Sequence, residues 1–173
     1  YQAEGVQELF LNNPVYGDDY YIYDGKPLIT LFDWNCVPTE DEAVKLACNM
    51  AGTILNEFTV RSASLGQAGT YGWYNKDGIV NVTDEVALVS PGHYNEGLSL
   101  SRAEGATYDN AWKTVIESDI TPRIVMISSF NDYHEQTAVF TADSSKCKDG
   151  YEAKWYDETG KINNSMYWDM TKD

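Results

Sequence analysis

Arg123-Ile-Val-Met-Ile-Ser-Ser-Phe-Asn-Asp-Tyr-His-Glu-Gln-Thr137 is the stretch on which the reading of the chain turns. It opens with the apolar run Ile124 to Ile127, introduced by Pro122 and rich in β-branched residues. A continuous run of this length predicts a strand buried on both faces, as in a parallel sheet covered by helices. At its carboxyl end the composition changes at once to Asn131, Asp132, Tyr133, His134, Glu135 and Gln136. Such side chains offer little to a core. In α/β folds the carboxyl ends of the strands are where ligands bind and chemistry takes place.

Just upstream, Tyr108, Ala111, Trp112, Val115 and Ile116 recur at helical spacing, so a helix with a buried stripe feeds this strand. Before it, Glu85 to Val89 reads as a short strand that runs into Ser90-Pro-Gly-His-Tyr-Asn-Glu96, with a polar loop over 97–105. Phe58 to Leu65 alternates as a strand, and the glycine-rich stretch 66–80 reads as a loop. Thr39-Glu-Asp-Glu42 forms a capping box for a helix with Val44, Ala47, Cys48 and Met50 inward, ending near Gly52. Leu28 to Phe32 is a second buried-strand candidate, ending in Asp33 and Trp34, and Asp24-Gly25 before it predicts a tight turn. A short helix over 3–12, with Val6, Leu9 and Phe10 on one side, stops at Asn12-Asn13-Pro14. Downstream, Ala138 to Thr141 reads as a short strand, the tail to Gly160 as polar, and Met166 onward as a helix without a stop signal.

Strands alternating with helices predict βα units and a parallel sheet. The expected fold is α/β, with residues 1–173 forming a single domain. A complete (β/α)8 barrel needs about 250 residues, so these units amount to part of one. Tyr1 is not an initiator and the last helix has no stop, which reads as a piece of a larger chain.

The net charge of −15 opposes binding to a phosphate backbone, so nucleic acid is not an expected partner. No run of 18 apolar residues is present to span a membrane as a helix. The three cysteines, Cys36, Cys48 and Cys147, are too scattered for a zinc site or a disulfide scaffold. The two histidines and the dispersed carboxylates match no metal-ligand pattern, and there is no Gly-x-Ser-x-Gly elbow or phosphate loop. No metal and no cofactor are expected. Thirteen Tyr and five Trp suit the stacking of sugar rings as well as the filling of a core.

Asp132 and Glu135 are the catalytic candidates. Three residues apart in a turn that leaves a strand, two carboxylates can face one cleft. Partial burial and mutual repulsion then separate them into an acid and a base. Two carboxylates flanking a bond are what glycoside hydrolysis requires. The plainer alternative is an exposed acidic turn, since Asp-x-x-Glu is a common spacing.

Phe130-Asn-Asp-Tyr-His-Glu-Gln-Thr137 resembles the Asn-Glu-Trp-His-Glu-Gly-Thr motif of the endo-α-mannosidases of glycoside hydrolase family 99. It is also similar to the Asn-Asp-Tyr-Gly-Glu-Ser motif of the family 71 α-1,3-glucanases. Tyr23-Asp-Gly-Lys-Pro27 before an apolar strand resembles a second signature of the family 99-like group. The Gly72-Trp73 loop and the Ser90-Pro91-Gly92 turn fit more loosely. The resemblance implies the C-terminal part of a (β/α)8 TIM-type barrel acting on an α-linked glycan. It implies Glu135 as the general acid/base and Asp132 as the other carboxylate. In family 99 that second residue assists the sugar's own 2-hydroxyl in a retaining reaction. Asp132 replaces the family's Glu and Gln136 its Gly, so inversion through a water is also compatible with the motif.

Asn131, Tyr133 and His134 are substrate-binding candidates within the motif, with an orienting role as the alternative for His134. His93 follows another strand and points to the same end, although a histidine in a loop need have no role. Trp73 and Tyr71 either form a sugar platform or cover the core. Trp112 is expected in the core, and Arg61 and Arg102 to pair with carboxylates. The rival readings are a non-catalytic carbohydrate-binding domain and an inactive fragment of a barrel. A part-barrel exposes sheet edges and so calls for its missing N-terminal half or a second copy. Secretion or a periplasmic location is expected, and Asn81-Val-Thr83 and Asn163-Asn-Ser165 are sequons if a eukaryote secretes the chain.

Overall fold

Asp24 and Gly25 both take positive φ, 52° and 81°, which is the backbone of a type I′ turn. The turn joins β1 (Ile22–Tyr23) to β2 (Lys26–Phe32) as an antiparallel hairpin in which Tyr23 faces Lys26. β2 then pairs in parallel with β3 (Thr59–Ala63), Leu28 opposite Thr59 and Phe32 opposite Ala63. In the computed structural model the described residues are 5–15, 17–32, 57–63, 71, 75–94, 98–147 and 154–173. The helix expected over 39–52, with Cys36, Cys48, Asp33 and Trp34, lies outside them, as does Trp73. The chain divides into two compact units, Tyr1–Ser64 and Leu65–Asp173. Each unit carries its own parallel ladder.

In the first unit a helix lies near the start, as expected. Gln7–Leu11 is wound in π form, and Asn12 N donates to Gln7 O at 2.9 Å. Leu9 and Phe10 are exposed, so the predicted apolar stripe covers no core there.

The second unit is built on β4 (Val86–Val89), fully buried, which pairs in parallel with β7 (Ile124–Ile127). Between them in sequence lie a hairpin of β5 (His93–Tyr94) and β6 (Leu98–Leu100), followed by α1 (Ala106–Ile116). Ala87 and Val89 face the same core as Tyr108, Ala111 and Val115 of α1, with Val125 and Ile127 packed against it. The register sets Ala87 beside Val125 and Val89 beside Ile127, so the period of two puts one face of both strands under α1. Each valine fully buried here contributes about 1.5–3 kcal/mol. Ile116, predicted inward, is exposed, because it is the last helical residue and turns past the seam.

The core closes with α2 (Met166–Lys172), from which Met166 and Tyr167 point inward beside Trp155. Trp155 sits in the tail read as polar; Ser144 Oγ accepts its N–H at 3.1 Å. Tyr108 Oη and Thr171 Oγ1, 2.8 Å apart, join α1 to α2.

Two expectations for the organising strand change. β7 is half-buried rather than covered on both faces, since among the described residues it pairs with β4 alone. Residues 138–141 do not form a regular strand. They run back along the end of β7 as a clasp: Val139 N donates to Ser129 O at 3.0 Å and Phe140 N to Phe130 O at 2.9 Å.

Candidate active site

Two loops meet beyond the carboxyl ends of the paired strands β4 and β7. The first is Ser90-Pro-Gly-His-Tyr94, of which residues 90–93 are buried. Asn75 braces its start, its amide donating to Leu88 O at 2.6 Å. Gly92 is required by a close approach: a Cβ there would lie 2.6 Å from Arg102 Cγ and 3.0 Å from Leu100 O.

The second loop, Ser129 to Thr137, holds its shape by polar bonds of its own. Ser129 Oγ accepts from Asp132 N at 3.0 Å and lies 2.7 Å from Thr137 Oγ1. Asp132 Oδ1 accepts from Glu135 N at 2.9 Å, and Asp132 O accepts from Thr137 N and Ala138 N, both at 3.1 Å. Asp132 is thus the latch of its own turn, in the manner of an Asx motif. The spacing Asp-x-x-Glu is what permits it.

Glu135 is where the two loops touch. Its carboxylate Oε2 lies 3.2 Å from His93 Nε2, and its carbonyl accepts from Tyr94 N at 2.8 Å. His93 is 4% exposed, whereas the Glu135 side chain keeps 23% of its surface in water. One side of the carboxylate is therefore dry and structured, the other solvated. A group placed so can hold a proton and release it to something arriving from solvent.

Next to it, Gln136 has a φ of 55°, a region that favours glycine and costs a side chain on the order of 1–3 kcal/mol. The glycoside hydrolase family 99 motif that this turn resembles carries Gly at this position. Here Arg102 holds the strained backbone: its Nη2 donates to Gln136 O at 2.5 Å and to Ala138 O at 3.2 Å. The guanidinium is buried, 4.4 Å from the centroid of Tyr167 and 5.2 Å from that of Trp155. Those aromatic faces suit a desolvated guanidinium and contribute about 2 kcal/mol.

Of the residues singled out from sequence, Asp132, Glu135 and His93 come together. His93 does so as a buried partner of Glu135, not as a group open to a sugar. Asn131 and His134 stand exposed on the loop. Tyr133 is also exposed, and its hydroxyl donates to Phe140 O at 3.2 Å. Tyr71 does not belong to the site. It is 1% exposed and its hydroxyl donates to Glu85, just before β4 begins, at the opposite end of the strand. Trp112 packs against the core, as expected. Arg102 anchors the motif loop by its backbone. An aromatic cluster was not foreseen. Phe130 and Phe140 stack with centroids 4.7 Å apart and meet Trp168 edge-on, with Phe130 still 54% exposed. The signal for it was present in the motif's flanks, since Phe130 and Phe140 bracket the polar turn. Among the described residues no group of three His, Cys, Asp or Glu is placed to hold a metal ion, and no helix is long and apolar enough to cross a membrane.

With this geometry in view, the comparison with solved structures is informative. The GH99 endo-α-mannosidase from Bacteroides thetaiotaomicron matches 99% of this chain at 18% identity and a TM-score of 0.55. A second structure of the GH99 endo-α-mannosidase from that organism, in complex with BIS-TRIS-propane, matches 98% at 20% identity and 0.59. The chain has a GH99-like fold. It spans 61% and 62% of those two chains, about three-fifths of their length. No protein-family model matches it, and no curated protein sequence matches it. The GH99-like fold is that of a TIM barrel, and the mixed helices and parallel strand pairs described above are consistent with part of one. In such barrels the carboxyl ends of the strands carry the chemistry, which is where Glu135 and Asp132 lie.

Proposed function

We propose that this chain carries the catalytic end of a glycoside hydrolase that cleaves an α-linked glycan, as the C-terminal part of a (β/α)8 barrel. The observation that supports this most is the seat of Glu135. It lies beyond two parallel strands, backed by a buried histidine and open on its other side, with a second carboxylate three residues away. Glu135 is the general acid. Its carboxyl proton passes to the glycosidic oxygen while the C1–O bond breaks and its electron pair leaves with that oxygen. Asp132 takes the proton of the nucleophile. In a retaining reaction the nucleophile is the sugar's 2-hydroxyl, and water then opens the anhydro sugar, restoring both carboxyl groups. In an inverting one it is water itself. The anomer released first distinguishes the routes.

The exposed rings of Phe130, Tyr133 and Phe140, with Asn131 and His134, offer sugar contacts on the same loop. Those contacts alone would also serve a module that binds glycans without cleaving them. A secreted or periplasmic location suits a polymeric substrate. The barrel required here is completed by further polypeptide or by a second copy of the chain. The test is hydrolysis of α-mannan and α-1,3-glucan by the complete protein and its Glu135→Gln variant. Loss of about 10²–10⁴-fold in kcat is expected for the removal of a general acid. Binding without turnover in the unaltered protein would favour the module.

A further inference from the structure

His93 is one of two histidines in the chain and lies almost wholly in the protein. Burying an imidazole is costly unless its ring nitrogens find partners, on the order of 1–3 kcal/mol for a polar group left unmatched. A phenylalanine in the same pocket would fill it without that liability. What the histidine adds is a polar atom aimed at Glu135, 42 residues further along the chain, at 3.2 Å. The backbone N–H of the next residue, Tyr94, fixes the Glu135 carbonyl at 2.8 Å, so two consecutive residues of β5 grip Glu135 at both its main chain and its carboxylate.

We propose that His93 is a positioning residue for Glu135, holding the carboxyl group in one rotamer at the water's edge; its catalytic meaning rests on the reading of Glu135 as the acid. The imidazole suits both states that the carboxyl group passes through. With the ring proton kept on Nε2, a carboxylate accepts from Nε2–H, and in the carboxylic acid the carbonyl oxygen still accepts from it while the O–H faces the glycosidic oxygen. No proton needs to leave through His93, since the one Glu135 gives up goes to the glycosidic oxygen. Among the described residues, the other ionisable neighbours act at one remove. Asp132 accepts the Glu135 N–H, and Arg102 binds the carbonyl of Gln136.

Because only His93 and His134 carry imidazoles, nitrogen-detected NMR of the ¹⁵N-histidine-labelled complete protein reads the contact directly. Replacing Glu135 by Gln should move the His93 ring-nitrogen signals and leave those of exposed His134 in place. In kinetics, His93→Phe should lower kcat roughly 30- to 100-fold, the cost of a misplaced catalytic group, with KM changed less than about threefold. His93→Gln, which restores a polar atom, should recover to within about tenfold of the unaltered protein. Unmoved His93 signals in Glu135→Gln would overturn the contact whatever the activity. Full kcat in His93→Phe beside an inactive Glu135→Gln would make His93 a packing residue and leave the glycosidase reading intact. Full activity in Glu135→Gln would remove both the acid and the role assigned to its partner. If His93→Phe does not fold, His93→Gln and the NMR comparison still decide.

Discussion

The loops that follow β4 and β7 solve the same problem by different means. Ser90 to His93 turns through the interior, where packing fixes it, and Gly92 lets Arg102 and Leu100 approach within van der Waals limits. Asn131 to Gln136 stands at the surface, where packing can fix little, and is held by Ser129, Asp132 and Arg102 through hydrogen bonds. The difference follows from what each has to do. A group that exchanges protons with a substrate must reach water, so its support has to come from elsewhere. The dry loop supplies it, through His93 and Tyr94. Rigidity and access are thus divided between two segments instead of competing within one.

The sharpest way to break this comparison is at Asp132, to which the structure gives a turn to hold and the proposed mechanism a proton to take. Asp132→Asn retains an oxygen acceptor for Glu135 N–H but removes the charge. It should lower kcat by about 10²–10⁴-fold while changing stability by less than about 0.5 kcal/mol. Asp132→Ala should lose the same activity and in addition about 1 kcal/mol, the worth of the turn bond. Urea unfolding and initial rates on the same preparations separate the two functions. Unchanged kcat in the Asn variant would leave Asp132 as a latch only, and the exposed loop would then hold a single reactive group.

A smaller effect is expected where the two loops are tied together. Arg102 lies in the connection from β6 to α1, yet its guanidinium ends on the backbone of the motif loop. Arg102→Met should cost about 3 kcal/mol, since two carbonyl bonds to a charged donor and two aromatic contacts go together. Arg102→Lys should recover little, because an ammonium lacks the planar fork. Amide exchange at Ala138 and Val139 should quicken in both variants, with those of buried β4 unchanged. Equal quickening in β4 would mean that the two loops share one packing unit and that the division drawn above is wrong.

How much of this was legible in the sequence depends on how far apart in the chain the partners lie. The type I′ turn at Asp24-Gly25, the strands β2, β4 and β7, and helix α1 all follow from residues within a turn or a strand of each other, and each was foreseen. The Asp132 latch was within reach too, as Asp-x-x-Glu is a local spacing. The contact of His93 with Glu135 spans 42 residues, and Arg102 reaches 34 and 36 residues ahead. No periodicity encodes such pairings. Local composition misled at Trp155, whose polar neighbours disguised a core residue, and at Tyr71 left a sugar platform and the core both open, of which burial fits the core. Position after a strand put His93 at the same end as Glu135 but did not show its burial, which depends on the hairpin of β5 and β6.

The smallest effect concerns the floor beneath both loops. Tyr108 shares one core with Ala87 and Val89 of β4 and with Val139 of the clasp. Burial pushes its phenol above the ordinary value of 10.0, opposed in part by the hydrogen bond with Thr171. The folded chain therefore holds the neutral form more firmly than the unfolded chain does. The stability so contributed is fully present below about pH 10 and is lost as pH rises through the raised value. Alkaline titration should show Tyr108 ionising late and together with the loss of near-ultraviolet circular dichroism. In Tyr108→Phe that coupling should vanish, at a cost of about 1 kcal/mol for the bond to Thr171. Because the same core carries β4 and Val139, the signals of the buried loop and of the clasp should disappear over the same pH interval. If the exposed loop melts first, its polar bonds and not the shared core set its limit.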